Sequence, residues 1–574
     1  MMRRLLYILL LLPLLFSCNI DEVIEEAKPQ IELDSATGVY TVKQGRELRI
    51  APRYTNVEGA TFVWSIEGVE VCHERAFVFD ATEQLGRTYI TLTVTNDAGS
   101  ATEQIRVDVV ALEQPSLSLA GADEGFTVAK GESLALKVSM RKVSLPTSVV
   151  WRVNGEEVCY DMEYVFEGRA IGEYSVEVCA KNEDGEAMVS TTIKVVAEQP
   201  FEWSFERTQF NLASGRRVRL APTFYTANLD VQYTFSLDGE VLQSGTEPTY
   251  IFDKEELGIY DVVLSAIVHR ETDEEVHTQM FKITVHADED KCYRAATATS
   301  SPLWSKVFEY TPAPGQFIND TKMGGFDGSQ TTAESAAKYA EQRLARGNWV
   351  SLGGFGGYIV VGFDHSIVNS GGYDFGIGSN AFDGSSEPGI VWVMQDENGD
   401  GKPNDTWYEL AGSESGKSET KHDYAVTYYR PSDRAMSVQW RDSEGKSGEV
   451  EYLADTHNQD YYYPLWITSN SYTLRGTRLK ERNYDSSGSG TYWEQLAYDW
   501  GYADNRSTED AVEQAGACYN RFKISNAVDA MGGSVHLKYI DFIKVQTACN
   551  ANSGWLGENS TEVLNFVDYS ISAE

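Results

Sequence analysis

One short motif, an aromatic residue followed four positions later by glycine, occurs three times at near-constant spacing. Trp64-Ser65-Ile66-Glu67-Gly68 returns as Trp151-Arg152-Val153-Asn154-Gly155 and as Phe235-Ser236-Leu237-Asp238-Gly239, 87 and 84 residues apart. An aromatic-x-Phe segment follows each copy: Phe77-Val78-Phe79, Tyr164-Val165-Phe166 and Tyr250-Ile251-Phe252. A glycine then precedes a tyrosine that opens an alternating run, Gly86 with Tyr89, Gly172 with Tyr174 and Gly258 with Tyr260. Upstream, Gly45, Gly131 and Gly215 each sit between two short apolar runs. A fixed period means one supersecondary unit copied along the chain. Apolar–polar alternation punctuated by turn residues specifies antiparallel strands in a sandwich, with the repeated Trp or Phe filling the space between sheets. Near-copies of one linker, Ala111-Leu112-Glu113-Gln114-Pro115 and Ala197-Glu198-Gln199-Pro200, mark the joints. The expected modules are 28–112, 113–198 and 199–287.

The chain has 574 residues, too many for a single core. It carries 86 Asp and Glu against 48 Lys and Arg, a formal net charge of -38. Nucleic-acid affinity comes mostly from cation contacts to phosphate, so no nucleic-acid partner is expected. The first residues read as an address. Arg3 and Arg4 precede an apolar run from Leu5 to Phe16, too short to span a bilayer of about 30 Å. The run ends Leu15-Phe16-Ser17-Cys18, similar to a bacterial lipobox, which implies a signal peptide over 1–17 and an acylated Cys18. Residues 18–27 are then a lipidated acidic tether. Within it Asp21 to Glu26 resembles the acidic export signals of Bacteroidetes surface lipoproteins. The expected location is the cell-surface side of the outer membrane, held by the lipid anchor only.

The three modules resemble the PKD-like, immunoglobulin-fold domains of bacterial surface proteins. That resemblance implies a spacer role, holding the C-terminal half of the chain away from the membrane. From Asp288 the repeat disappears and Gly, Ser, Tyr and Trp rise. One helix is expected, from a capping box Thr331-Thr332-Ala333-Glu334 through Ser335 to Arg346, stopping at Gly347. Strands are expected at 349–352, 358–363, 390–394, 425–429 and 535–545. The fold class is therefore all-β: three immunoglobulin-like (PKD-like) sandwiches, then a larger β-sandwich or jelly-roll domain with one helix over 288–574.

Several runs in this last domain are distinctive together. They are Gly353-Gly354-Phe355-Gly356-Gly357-Tyr358, Gly362 to Ile367, Tyr373-Asp374-Phe375 through Ala381-Phe382, and Ser386-Glu387-Pro388-Gly389-Ile390-Val391. Trp407 to Ser413, Trp500-Gly501-Tyr502-Ala503-Asp504-Asn505 and Ile540 to Thr547 complete the set. With these the domain resembles Bacteroidetes surface lipoproteins similar to the BtuH group of cobalamin-binding proteins. The resemblance implies capture of cobalamin or a related corrinoid for an outer-membrane TonB-dependent transporter, with companion surface lipoproteins. Carbohydrate binding and an adhesin role are the alternatives.

Asp396-Glu397-Asn398-Gly399-Asp400-Gly401 continues as Lys402-Pro403-Asn404-Asp405. Oxygen side chains at alternate positions, with glycine for the tight turn, suit a hard cation. Asp396, Asn398, Asp400, the Lys402 carbonyl and Asp405 are the expected ligands of a structural calcium. A polar hairpin turn is the competing reading, since Asn, Asp and Gly favour turns anyway. Recognition is expected from the aromatic group Trp466, Tyr484, Trp493, Tyr498, Trp500 and Tyr502, which surrounds the loop segment Asp485 to Gly490. Tyr and Trp supply apolar area and a hydrogen-bonding tip, although alternating aromatics also fill sandwich cores. Ala411 to Ser418 matches a loose phosphate-loop pattern but lacks the strand–loop–helix context. His365, His422, His457 and His536 sit in no HExxH or GxSxG setting, and no enzyme is expected. Cys72 and Cys159 occupy matching module positions as small apolar residues; Cys518 and Cys549 are a candidate pair in an oxidising compartment.

Overall fold

The computed structural model describes residues 27–571, apart from 83–84 and 323–326. The expected signal peptide, Cys18 and residues 18–26 of the expected tether lie outside the described residues. Two compact units result, one ending at Glu113 and one from Gln114 onward.

The first unit is a single sandwich. Its larger sheet runs Val39–Lys43, Gly99–Val110, Gly86–Asn96, Thr61–Ile66, Val69–Cys72, with the first strand parallel to the second. The pairs Gln30–Glu32 with Arg53–Thr55 and Glu47–Ile50 with Phe77–Asp80 lie outside that sheet. The same five-strand order recurs twice in the second unit. It runs Phe126–Ala129, Gly185–Val196, Gly172–Asn182, Ser148–Val153, Glu156–Cys159, and then Gln209–Ala213, Glu274–His286, Gly258–His269, Val231–Leu237, Glu240–Gly245.

The repeated motif does the same two jobs in each copy. Trp64, Trp151 and Phe235 are fully buried and pack on Phe77, Tyr164 and Tyr250 at ring distances of 5.5, 5.7 and 5.4 Å. The Trp64 and Trp151 indoles each donate to a backbone carbonyl, of Glu74 and Asp161, at 2.8 Å. Phe235 has no such donor. The residues Glu67-Gly68, Asn154-Gly155 and Asp238-Gly239 all have positive φ, near 50° and then 82–85°. Two successive positive values define the type I′ hairpin turn, whose twist matches that of the strands. Gly at the second position adopts it without a Cβ penalty. Cys72 and Cys159 are half-buried, and each thiol lies against the carbonyl four residues on.

The C-terminal domain is built on an antiparallel six-stranded sheet. Its order is Lys306–Thr311, Tyr358–Val368, Tyr539–Thr547, Gly389–Met394, Trp407–Leu410, Ala527–Val528. It shares one core with a four-stranded sheet, Ala511–Gln514, Ala517–Phe522, Phe375–Ser379, Asn565–Asp568. Ile359, Val361, Val391 and Val545 of the first meet Phe375, Ile377, Phe522 and Phe566 of the second. Both faces of Phe375–Ser379 are buried. Gly378 is required there, because a Cβ would meet the Tyr519 ring at 2.8 Å. Another four-stranded sheet, Ser447–Val450, Val438–Asp442, Lys421–Tyr429, Ser471–Arg478, packs its own core around Phe355, Tyr428, Tyr462 and Leu474.

Among the described residues the single α-helix spans Ala333–Ala345 and buries Ala336, Ala337, Ala340 and Leu344. Its capping box lies one residue beyond the expected one. Thr332 accepts from the Ser335 N–H while the Ser335 hydroxyl accepts from that of Thr332. Glu334 points to solvent in the first turn, where a negative charge favours the helix dipole. The last of the expected strands is Tyr539–Thr547, four residues later than its expected start. Cys518 and Cys549 are both buried free thiols, not a pair; Cys549 lies 3.5 Å from the Tyr498 hydroxyl.

Modules two and three are not free beads. In the second module Ser116 and Arg141 bind Asp433 at 2.7 and 2.9 Å, and the Arg441 guanidinium covers the Phe126 ring. From the third module Arg216 pairs with Glu289 at 2.7 Å, Arg217 with Asp529 at 2.6 Å, and Arg219 with Asp423. The spacer expectation therefore changes for these two modules. They belong to the same compact unit as the domain they precede.

Candidate functional site

The six aromatics expected to form one surface divide. Trp466 is 6% exposed and stacks on Tyr310 in the main core. Tyr498 and Tyr502 pack edge to face at 5.5 Å in a core with Ile390 and Leu479. The Tyr498 hydroxyl donates to the Lys480 carbonyl, and the Tyr502 hydroxyl accepts from the Glu414 N–H. These three are packing residues, and the hydroxyls of the two tyrosines are already satisfied. Trp500 lines a separate shallow cleft of about 190 Å³ with Tyr373, Asp510 and Arg521.

Tyr484 and Trp493 remain together, on the hairpin of Asn483–Asp485 and Trp493–Gln495. Asp485 shapes the intervening loop by accepting from the Ser487 and Gly490 N–H groups. Around this hairpin lie Tyr492, which belongs to the aromatic group of the sequence, and Trp555, Leu496 and Phe382, which no sequence pattern singles out. Tyr492, Trp555, Leu496 and Phe382 are 62, 53, 45 and 63% exposed, beside Tyr484 at 42%. Trp555 reaches the loop by donating from its indole to the Thr491 carbonyl at 3.3 Å. Phe382 opens a turn whose Ser385 bridges to Gln495. The half-buried Trp493 lies over the Gly554 backbone, where a Cβ would come within 2.6 Å of its indole nitrogen. That nitrogen is buried without a hydrogen-bond partner.

Beneath the hairpin lies a group of acids, with Asp504, Glu558 and Glu562 buried and Glu387 half-buried. Gln495 donates its amide to Glu387 Oε1 at 2.9 Å, and the Ser560 N–H reaches the same oxygen at 3.2 Å. The Glu562 N–H donates to Asp504 Oδ2, and the Ser560 hydroxyl to Glu562 Oε1, both at 2.8 Å. Oxygens of Glu387, Asp504 and Glu562 all fall within 4.8 Å of one another. Paired backbone bonds between Gly389 and Ala503 hold the first two segments side by side. Burial, followed by mutual repulsion, lifts Asp504 and Glu562 well above the carboxylate range. Burial lifts Glu387 to about 7 and neighbouring Glu558 to about 8. Glu387 and Asp504 stand in two of the distinctive sequence runs. Glu558 and Glu562 carry only the weak signal of two acids in a short run of small polar residues.

In the expected calcium loop, the side chains turn onto the loop's own backbone. Asp396 accepts from Gly399, Asp400 and Gly401; Asn398 from Asp400; Asp400 from Lys402 and the Asn404 amide. The Lys402 carbonyl accepts from Asn404. Asp405 is fully buried, with Oδ2 accepting from Glu397 while Oδ1 has no hydrogen-bond partner. Both carboxylate oxygens of the buried Glu397 also lack one. Burial raises Asp405 to about 6 and, with Asp405 beside it, lifts Glu397 far higher. The loop abuts module three: the Arg207 guanidinium donates to the Asp405 carbonyl, and Thr406 to that of Asn211.

Other motifs resolve into structure. His365 is buried with one ring nitrogen on Asp364 at 2.6 Å and the other on Asp568 at 2.8 Å, so neither is left for a substrate. No helix follows the 411–418 segment. Lys544, in the central strand of the six-stranded sheet, holds its ammonium 4.9, 5.2 and 5.7 Å from the rings of Trp392, Trp407 and Tyr358. Among the described residues no helix is long and apolar enough to cross a membrane.

Residues 28–96 match the PKD-like domain family. No curated protein matches the chain. Among solved structures, the I67–I69 fragment from the titin I-band is 16% identical over 45% of this chain and 98% of its own, with a TM-score of 0.21. The three N-terminal domains of the outer capsid protein Hoc from bacteriophage RB49 are 11% identical over 45% and 99%, also at 0.21. The N-terminal eight immunoglobulin domains of the Down syndrome cell adhesion molecule are 14% identical over 49% and 43%, at 0.15.

Proposed function

We propose that this chain is a lipid-anchored cell-surface binding protein whose C-terminal domain captures a small ligand at the 483–495 hairpin. The observation that carries the reading is the solvent-facing group Phe382, Tyr484, Tyr492, Leu496 and Trp555, set on loops that meet at Gln495. Large apolar side chains gathered on one exposed face mark interaction sites more often than they mark defects. The ligand class we propose first is cobalamin or a related corrinoid, from the resemblance of the domain's sequence runs. A corrin is a broad apolar ring fringed by amides, and flat aromatic rings beside side-chain amides such as Gln495 and Asn483 suit both features. Delivery would be to an outer-membrane TonB-dependent transporter, with acylated Cys18 as the anchor and calcium in the 396–405 loop as a structural ion.

A carbohydrate ligand is the second reading. Exposed Tyr492 and Trp555 beside a Ser- and Gly-rich loop also suit stacking on a sugar ring. Titration of residues 114–574 with cyanocobalamin decides between them. A Kd tighter than about 1 mM, beyond about -4.1 kcal/mol, that weakens in Trp555→Ala supports the corrinoid. No binding, with retention on a glycan array, replaces it with the sugar.

A further inference from the structure

Glu387, Asp504, Glu558 and Glu562 present four carboxyl groups to one buried region. Among the described residues, the charges that act most strongly on them are one another, with no Lys, Arg or His among the leading ones. Buried charges are ordinarily paired or coordinate a metal, because desolvation of each ion costs several kcal/mol. The donors are neutral groups, among them Gln495 and the Ser560 N–H for Glu387, the Glu562 N–H, the Ala381 N–H and the Ser379 hydroxyl for Asp504, and the Ser560 hydroxyl, the Ser351 hydroxyl and the Asn380 amide for Glu562. Glu558 supplies an independent sign of a missing partner. It is 5% exposed, and its Oε2 is buried with no hydrogen bond at all. Its Oε1 accepts from the Gln316 N–H at 2.9 Å, and Glu387 is the charged neighbour acting on it.

We propose that Glu387, Asp504 and Glu562 hold one hard divalent cation, calcium in a calcium-containing medium, with Glu558 as a further anionic group beside it. Oxygens 2.3–2.6 Å from one ion lie at most about 5 Å apart, and the observed spread of 4.8 Å satisfies this. An all-oxygen donor set without thiolate or imidazole selects calcium or magnesium over zinc and copper. The three ligands come from segments far apart in sequence, and Gln495 links them to the aromatic hairpin. The ion therefore fixes the floor under the ligand rim. That consequence rests on the function proposed above; the cation site itself does not.

The test uses the full chain, stripped with EDTA and titrated with calcium chloride by calorimetry and by thermal melting. The expected result is a rise in Tm with calcium in the wild type. In Asp504→Asn and Glu562→Gln the tightest binding event is lost or weakened about tenfold or more, while Asp400→Ala, in the separate loop, retains it. Both amide variants are isosteric and remove a repelling buried charge, which favours folding. Wild-type calcium stoichiometry and affinity in both variants overturns the proposal, as does a wild type whose heat and Tm ignore calcium. Should either variant misfold, terbium luminescence sensitised through Trp493 in the wild type replaces it. Displacement by calcium that is lost in Trp493→Phe supports the site, and a signal unchanged by that substitution overturns it. Cyanocobalamin titration of the same samples separates the two readings, since calcium binding can persist without corrinoid binding and the reverse.

Discussion

Gln495 donates its side-chain amide to Glu387 across 2.9 Å, joining the aromatic hairpin to the acids buried beneath it. The backbone N–H of the same residue donates to Gly384, so the turn that carries Phe382 is fastened at the same point. Replacing Gln495 by Leu keeps the volume but strips Glu387 of its side-chain donor. The Ser560 N–H still reaches that oxygen, so the loss is that of one hydrogen bond, about 0.5–1.5 kcal/mol. Urea unfolding should show that loss, and ligand affinity at the hairpin should fall with it. A variant as stable as the wild type would mean that this contact positions nothing.

The two classes of aromatic should separate cleanly under mutation. Trp466→Ala and Tyr498→Ala each empty a packed core position, and large aromatic deletions cost about 3–5 kcal/mol. Trp555→Ala and Tyr492→Ala remove exposed rings and should change stability by no more than about 0.5 kcal/mol. For ligand binding the order reverses, with the exposed pair dominating. Thermal melts beside ligand titrations check both halves. Loss of binding only in the core variants would move the site away from the hairpin.

The modules were legible in sequence because their determinants are local. A cross-core aromatic, a type I′ turn two residues on and the next aromatic strand recur at fixed offsets, and each does one physical job. The aromatic cluster was harder to read. Period-two alternation places a ring on one face of a strand without saying whether that face meets solvent or another sheet. Trp466 and Tyr502 lie outside the strands altogether, in turn and loop segments that pack into cores. The acid group was not legible as a site, since positions 387, 504 and 562 share no spacing and only the pairing of Gly389 with Ala503 brings two of them together. The docking of module three did leave a trace. Where module two has Glu132-Ser133-Leu134-Ala135 after its turn glycine, module three has Arg216-Arg217-Val218-Arg219, and all three arginines bind acids of the following domain.

Those arginines should differ in weight. The side chains of Arg216 and Glu289 are only 14 and 9% exposed at their 2.7 Å contact, and Glu289 also receives the Gln395 amide. Arg216→Ala leaves a buried carboxylate with only the half-exposed Lys538 ammonium, 3.9 Å away, so the loss should approach that of breaking a buried pair, about 3–5 kcal/mol. Arg219 and Asp423 are 32 and 54% exposed, and a pair screened by solvent contributes at most about 1 kcal/mol. Denaturant unfolding of residues 114–574 should rank them in that order. Equal effects would contradict the burial argument.

Calcium in the 396–405 loop predicts its own signature. Binding only the folded state stabilises by mass action, about 2.7 kcal/mol at one hundred times Kd. Chelator should lower the melting temperature of the Asp504→Asn protein, in which the acid group is disabled, and Asp400→Ala in that background should abolish the remaining response. If the melting curve of the Asp504→Asn protein ignores chelator, the loop is a polar turn held by its own backbone hydrogen bonds.

Lys544 supplies a pH dependence whose sign is fixed. Burial among Trp392, Trp407 and Tyr358 pulls its ammonium down from 10.5 to about 8, with Glu206 and Glu309 opposing part of that shift. The unfolded chain takes up this proton near pH 10.4, whereas the folded chain waits until about 8. Between those values the unfolded state holds more protons, so this residue's contribution to stability falls as pH drops from about 10.4 to 8. Below 8 both states are protonated and the penalty is constant. Lys544→Met removes the titration and fills the same space with a thioether that packs well on aromatic rings, at the expense of the cation–π contacts. The variant should therefore exceed the wild type in stability at pH 7, and the gap should narrow as pH rises from 8 toward 10.4. Comparing the two proteins cancels the tyrosine titrations they share. Urea unfolding at pH 7, 8.5 and 10 measures the gap directly. Parallel stabilities across that range would mean that the Lys544 ammonium is solvated and that its aromatic enclosure costs it nothing.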